Sequence, residues 1–141
     1  MDKAALERLV RKVLLEQLGE TPRGVRRLCP GAVKFADNDL LDTGRRGDRV
    51  YTRDLLSLAE SPRLGVGVME VENTRFPWTL NYDEVDCVLE GELEIVSEGR
   101  HICAGPGEAI FIPKGSAIEF ASKGKTRFLY VTYPADWQNQ G

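Results

Sequence analysis

The side chains best able to do chemistry lie close together in FPWTLNYDEVDCVLEG, residues 76–91: Trp78, Tyr82, Asp83, Glu84 and Asp86. On an extended strand successive side chains alternate faces, which sends Asp83 away from Glu84 and Asp86, so two carboxylates at most converge. A carboxyl beside a tyrosine hydroxyl can move a proton, the neutral acid donating and the charged form accepting, and this makes Glu84 and Tyr82 the catalytic candidates. Two converging carboxylates can also hold Mg-ATP through a hard cation that draws its other oxygens from water and phosphate. The aromatic set Trp78, Tyr82, Tyr130, Tyr133 and Trp137 is able to line a small-molecule cleft and equally able to pack a core or a subunit contact, because such rings bury large area wherever they fall.

Other chemistry-bearing motifs are weaker. SKGKT, residues 122–126, ends as a phosphate-binding loop does, but that pattern needs a glycine where this chain has Glu119. SKGKT is therefore read as a hairpin turn between two strands, and nothing in the residues themselves calls for phosphoryl transfer. GRRGDR, residues 44–49, reads as an exposed basic loop. The single histidine, His101 in GRHICAG, has no second ligand at metal spacing and reads as a surface or packing residue. Cys29, Cys87 and Cys103 form no CxxC pair and read as free thiols of a reducing compartment.

A length of 141 residues with 42% hydrophobic content fits one domain and one core. Fourteen glycines and seven prolines between short apolar runs point to an all-β fold with many turns. A net charge of −3 argues against a nucleic-acid partner. That charge is uneven: residues 1–27 carry +3 and the remainder −6. There is no apolar run long enough for a membrane helix, and charges throughout the N-terminal segment leave no secretory h-region.

Three regions follow along the chain. Residues 1–20 hold an amphipathic helix, with Leu6, Leu9, Val10, Val13, Leu14 and Leu18 at helical spacing and Lys3, Glu7, Arg8, Arg11 and Lys12 on the other face. Gly19 and Thr21-Pro22 stop it. Such a helix is marginal alone and needs a surface to dock on, its own barrel, a sister subunit or another protein; mixed charges on its polar face disfavour a membrane partner. Residues 21–48 form a linker and an extended arm around Val33 to Phe35. Residues 49–141 carry strand-like runs, VYTRDLL, RLGVGVMEVE, VDCVLEGELEIVSE, RHICA, EAIFIPK, AIEFAS and RFLYVTYP, separated by turn residues. Short strands at this spacing make a sandwich or jelly-roll barrel.

Glu84 and Gly91 stand seven apart, and Gly107, Pro113 and Gly115 keep a second spacing; together they resemble the two motifs of the cupin family. At the histidine positions of that pattern the chain has Trp78 and Leu80, or Pro77 and Thr79 by the other count, and Ile118. One carboxylate cannot make a transition-metal site, which needs three or four converging ligands, so a cupin without a bound metal is expected. The resemblance implies a double-stranded β-helix (jelly-roll) barrel whose interior faces Trp78, Tyr82, Glu84 and Ile118, with Asp86 and Tyr130 from adjoining strands as further ligand-binding candidates. A carboxyl left in so dry an interior should hold its proton unless neighbours satisfy its charged form.

WTLNYDEVDCVLEGELEI, GEAIFIPKGSAIEF and RFLYVTYPADW, in that order, closely resemble the EutQ family of cupins from ethanolamine-utilisation microcompartments, over roughly residues 63–137. The helix and its linker resemble the encapsulation peptides that tether cargo inside such compartments. The resemblance implies a homodimer in the bacterial cytoplasm, inside or at the shell of a microcompartment, with shell or cargo proteins as partners and a small acid or nucleotide as possible ligand. An ATP-dependent acetate kinase activity is attributed to the family, which would bring Mg-ATP as cofactor. Longer members carry a larger N-terminal region.

Overall fold

The computed structural model describes the backbone of residues 2–18 and 24–140, and the side chains of 2–10 and 24–140. Helix α1 spans Lys3–Leu18. Asp2 caps it, its Oδ1 accepting from the Ala5 amide at 2.6 Å, which satisfies one of the donors a helix leaves open at its first turn. Leu6, Leu9 and Val10 lie on this helix with about half of each residue open to solvent. The side chains of Val13, Leu14 and Leu18, and the stop expected at Gly19 to Pro22, lie outside the described residues. No helix among the described residues is long and apolar enough to cross a membrane.

Seven strands follow: β1 Arg49–Asp54, β2 Gly65–Leu80, β3 Asp83–Glu90, β4 Leu93–Ser97, β5 Arg100–Ala104, β6 Ala109–Ile112 and β7 Ser116–Tyr133. The two long strands, β2 and β7, pair antiparallel from Gly65↔Thr132 to Leu80↔Ser116 and form the spine. β1 extends the spine beside the first half of β2. β3 pairs with the second half of β7 and carries β6 on its other edge. β4 pairs with the first half of β7 and carries β5. Each spine strand thus serves both layers of a barrel.

Each changes layer at an irregularity: Asn73 in β2, with φ +44°, lies opposite Ser122 to Lys125 of β7, where the register slips. Bulges bend a strand sharply enough to turn such a corner. This corrects two expectations. SKGKT does not turn the chain back: AIEFAS and RFLYVTYP are one strand, and residues 122–126 bulge within it. A bulge and a hairpin recruit the same Gly-containing polar residues, so composition alone does not separate them. Conversely VDCVLEGELEIVSE is two strands, parted at Gly91, whose φ of +75° and close approach to the Lys125 carbonyl leave no room for a Cβ.

The inner faces supply the core. Phe76, Phe120 and Phe128 stack in a column, with centroids 5.3 and 6.0 Å apart, among Met69, Val71, Leu80, Leu93 and Ile95. Each such side chain contributes about 1.5–3 kcal/mol when fully buried. On the outer face Glu70 and Arg127 are register partners and form an ion pair at 3.1 Å, both nearly inaccessible. The arm buries them: Arg127 Nη1 donates to the carbonyls of Pro30 (3.1 Å), Gly31 (3.2 Å) and Val33 (2.8 Å), and the guanidinium lies 5.0 Å from the centre of the Phe35 ring. A buried charge is tolerated when it is paired and hydrogen-bonded, so the arm and the ion pair stabilise one another, with only Arg127 Nε left without a partner on this guanidinium.

Candidate functional site

Strand alternation on β3 sends Glu84 and Asp86 into the barrel and Asp83 and Val85 outward. Glu84 is 5% exposed and Asp86 0%, opposite Ile112 and Ile110 of β6, whereas Asp83 is at the surface, accepting from the Lys114 amide at 2.8 Å. The two inward carboxyls have few polar neighbours: Glu84 Oε2 and both oxygens of Asp86 have no protein donor. Burial pushes the Glu84 carboxyl up to about 7, an effect its contact with Asp86 only partly offsets. Burial, and then the charge of Glu84, push Asp86 well above the usual carboxylate range. Burial therefore makes the pair hold protons to higher pH than exposed carboxyls do, and the two titrate as one coupled unit.

Aromatic side chains surround this pair. Trp78 Nε1 donates to Tyr82 Oη at 2.8 Å, leaving the tyrosine's own proton free to point at an acceptor. Tyr130 Oη donates to Asp54 Oδ1 at 2.8 Å and accepts from Thr52 Oγ1 at 2.9 Å. Burial raises both phenols above their ordinary value, so both stay neutral donors; the charge of Glu84 adds to the effect at Tyr82, and that of Asp54 at Tyr130. Tyr130 fits because its neighbour on β2 is Gly67: a Cβ there would fall on the phenol ring. Gly67 thus admits the tyrosine, while Gly65 leaves room for Thr132 and the Ala135 backbone.

The C-terminal segment closes the barrel. Beyond β7 the chain folds back through a short 3-10 turn, Trp137–Asn139, and inserts Trp137, 6% exposed, among Trp78, Tyr82 and Tyr130 at centroid distances of 6.2, 5.9 and 5.9 Å. Beneath it remains a cavity of ≈ 10 Å³ bounded by Glu84, Phe76 and the four aromatic residues, room for about one water. Above it lies an open cleft of ≈ 530 Å³, to which the same Trp78, Tyr82 and Trp137 contribute. These rings are the partition between a solvent cleft and the buried carboxyls.

The inward positions of β2 are Trp78 and Leu80, with Pro77 and Thr79 exposed or turned outward, and Trp78 is paired with Ile118. The three places that histidines take in the cupin pattern therefore hold Trp78, Leu80 and Ile118. Among the described residues no group of three or more His, Cys, Asp or Glu gathers to hold a metal ion. A transition metal does not fit this donor set. Nor does magnesium fit the closed cavity, since two carboxyls and about one water fall well short of its octahedral oxygen shell.

Of the residues singled out in the sequence, the structure brings Trp78, Tyr82, Glu84, Asp86 and Tyr130 together. Ile118 is packed in the core and does not border the cavity; Tyr133 is exposed on the outer face. His101 is exposed and bonded to Glu94 at 2.5 Å. Asp54 and Thr52 were not foreseen, having no signal beyond a polar strand end. Trp137 as a plug had one weak signal, a tryptophan set just past the last strand.

A sequence profile of the family described as ethanolamine utilisation protein EutQ matches residues 1–139. The chain belongs to the EutQ family. It is 47% identical to a protein of Clostridioides difficile (strain 630) named acetate kinase EutQ, over 99% of this chain and 96% of that relative. It is 44% identical to the protein of the same name from Salmonella typhimurium, over 82% of this chain but 49% of the relative, so the chain spans about half that protein's length. Among solved structures, the EutQ protein of Clostridium difficile superposes with a TM-score of 0.76 at 57% identity, covering 77% of this chain and 80% of that one. A cupin superfamily protein from Desulfitobacterium hafniense DCB-2, at 17% identity and a TM-score of 0.58, covering 79% of this chain and 94% of that one, shares the fold. This is an all-β cupin barrel with an N-terminal helix, of a family named for ethanolamine utilisation.

The EutQ barrel carries a pH signature of known sign. Glu84 binds its proton more tightly in the folded state than in the unfolded chain, so the stability it contributes is complete below its ordinary value of 4.5 and is lost as pH rises through about 7. In Glu84→Gln a neutral amide of the same shape removes that loss. The unfolding free energy of the variant minus that of the parent should grow by on the order of 3 kcal/mol across this window, measured by urea unfolding at a series of pH values. A constant difference would show that Glu84 ionises normally in the fold.

Proposed function

We propose that this protein is a metal-free accessory cupin of a bacterial microcompartment serving ethanolamine catabolism or a related aldehyde-generating pathway. Helix α1 attaches it to shell or cargo, and the barrel binds a small pathway metabolite. The observation that carries this reading is the exposure of Leu6, Leu9 and Val10, at 53, 46 and 49%, on a helix of 16 residues. A helix this short gains its stability from docking an apolar face, and the described part of that face, Leu6, Leu9 and Val10, is open. A homodimer is the assembly we favour, because Val85 and Phe111, register partners on the outer face of β3 and β6, are 41 and 65% exposed and Tyr133 beside them is 59% exposed. The working location is then the bacterial cytoplasm, inside or at the shell.

A second reading, acetate kinase, is favoured by the names of the relatives, the Clostridioides difficile protein matching this chain almost end to end. In that reading Glu84 and Tyr82 position acetate or the nucleotide–magnesium complex. Phosphoryl transfer is sustained by cations and donors converging on the transferred group; the described barrel interior gathers carboxyls and rings instead, which weighs toward binding.

Two experiments separate the readings. Removing residues 1–20 should abolish co-localisation with compartment shells while the barrel keeps its melting temperature; retained co-localisation would remove the role assigned to α1. Metal-stripped protein supplied with magnesium, ATP and acetate should form no acetyl phosphate. Turnover that vanishes in Glu84→Gln would instead establish the kinase and place its site in the barrel.

A further inference from the structure

We infer that the barrel interior is a binding site for a small primary ammonium ion, which enters when the C-terminal turn lifts and occupies the space that the Trp137 indole fills in the closed form. The inference rests on the reading of the barrel as a small-molecule site; it is independent of the role given to α1.

Charge comes first. The inward side chains include two carboxyls and, among the described residues, no buried lysine, arginine or histidine inside the barrel; the one buried arginine, Arg127, faces the arm on the outside. An anion such as acetate or a phosphate would have to lie against Glu84 and Asp86 with no cation to offset them, which the same low-dielectric interior makes costly. A cation is drawn by the charge the pair carries and can take the place of its proton.

Hydrogen bonding narrows the cation. Three acceptor atoms in the barrel, Glu84 Oε2 and Asp86 Oδ1 and Oδ2, have no donor. An alkylammonium presents three N–H donors and no acceptor, which matches that deficit when it takes the place of the proton the pair holds; a quaternary ammonium presents none. The walls suit the same ion. Trp78, Tyr82, Phe76 and Tyr130 surround the space, and aromatic faces attract an ammonium that has been stripped of water. Tyr82 Oη, which accepts from Trp78 and has its own proton to place, is available to a hydroxyl on the ligand.

The approach has the same polarity. The outer cleft is bordered by Asp42, Asn81 and Gln140 and by Asp39, whose carboxylate is paired with Arg53, and no basic residue lines it among the described residues; the unpaired Asp42 gives its mouth a negative bias that favours a cation. The gate is a single short turn whose hydrogen bonds are local: Asn139 Nδ2 donates to Asp136 Oδ1 at 2.8 Å and Gln140 Nε2 to the Asp136 carbonyl at 3.0 Å. It can lift as a unit without breaking a strand. An indole that closes the cavity bordered by Glu84 is a stand-in for a ligand of similar reach, with Asp86 one strand pair deeper, and the closed form is then the ligand-free state.

The test uses the full chain and four probes at equal ionic strength: ethanolammonium chloride, ethylene glycol as its neutral counterpart, sodium acetate and sodium chloride. The chain has two tryptophans, Trp78 and Trp137, so intrinsic fluorescence follows the gate while calorimetry measures binding. Ethanolammonium should bind and shift the fluorescence, and the other three should not. Glu84→Gln and Asp86→Asn should each weaken it tenfold or more. Trp137→Ala, by removing the competitor, should tighten it several-fold, because the binding-competent fraction rises; Asp136→Ala, which loosens the turn without touching the site, should do the same if the first variant folds poorly. Ethanolammonium binding that is indifferent to both carboxyls overturns the inference. So does preferential binding of acetate or the diol, which would leave the barrel a small-molecule site of another kind. Binding by none of the probes, in the parent and in either gate variant, removes both.

Discussion

Two carboxyls placed side by side on the inner face of one strand, in an interior that offers them few hydrogen-bond donors, set the terms for the rest of this barrel. An ionised carboxylate is tolerated inside a protein when water, a metal or a positive side chain answers it. Here the positions from which cupin histidines would hold a metal carry Trp78, Leu80 and Ile118, and water is reduced to a pocket of ≈ 10 Å³. The remaining answer is a proton, so the chemistry of the site becomes that of a proton shared between Glu84 and Asp86.

The neighbouring architecture is intelligible from that starting point. Rings rather than polar groups line the approach, and the phenols among them stay protonated because the same burial and the same negative charges act on them. Tyr130 is tied to Asp54 and Thr52 at the rim, and the glycine opposite it makes its position possible. Trp137 seals what the strands leave open. On the far side of the same sheet the problem is solved the other way: Glu70 is buried too, but Arg127 answers it at 3.1 Å. One sheet thus carries an ion pair closed by the arm on its outer face and an uncompensated acid pair closed by the C-terminal turn on its inner face. The first holds structure together. The second is costly to maintain, which makes it the candidate functional site of the barrel.

The inward set on β3 was legible because the period of two leaves no freedom: once Glu84 faces in, Asp86 must follow and Asp83 cannot. The helix was legible from its 3.6-residue period, and the barrel from its short runs of strand. What was not legible depended on contacts distant in sequence. Ser122 to Lys125 looks like a turn and is a bulge, because only pairing with β2 and β4 on either side of it keeps the strand running. Arg127 looks like an ordinary outward residue until residues 30–33 close over it. Trp137 lies past the last strand, where no periodicity applies, and its role follows from the barrel mouth it happens to reach. Motif spacing points Ile118 to the site, and packing places it in the core.

The protonation state of the pair is the point on which the account turns, and it can be observed directly. Carbon-detected NMR of protein labelled at the side-chain carboxyls of Asp and Glu, assigned with Glu84→Gln and Asp86→Asn, should show both groups protonated at pH 5. Glu84 should then titrate near 7, with Asp86 holding its proton beyond the usual carboxylate range. Two carboxyls ionising together near their ordinary values, 4.5 and 3.8, would contradict it, and would mean that the interior is wet or already neutralised by a group of opposite charge.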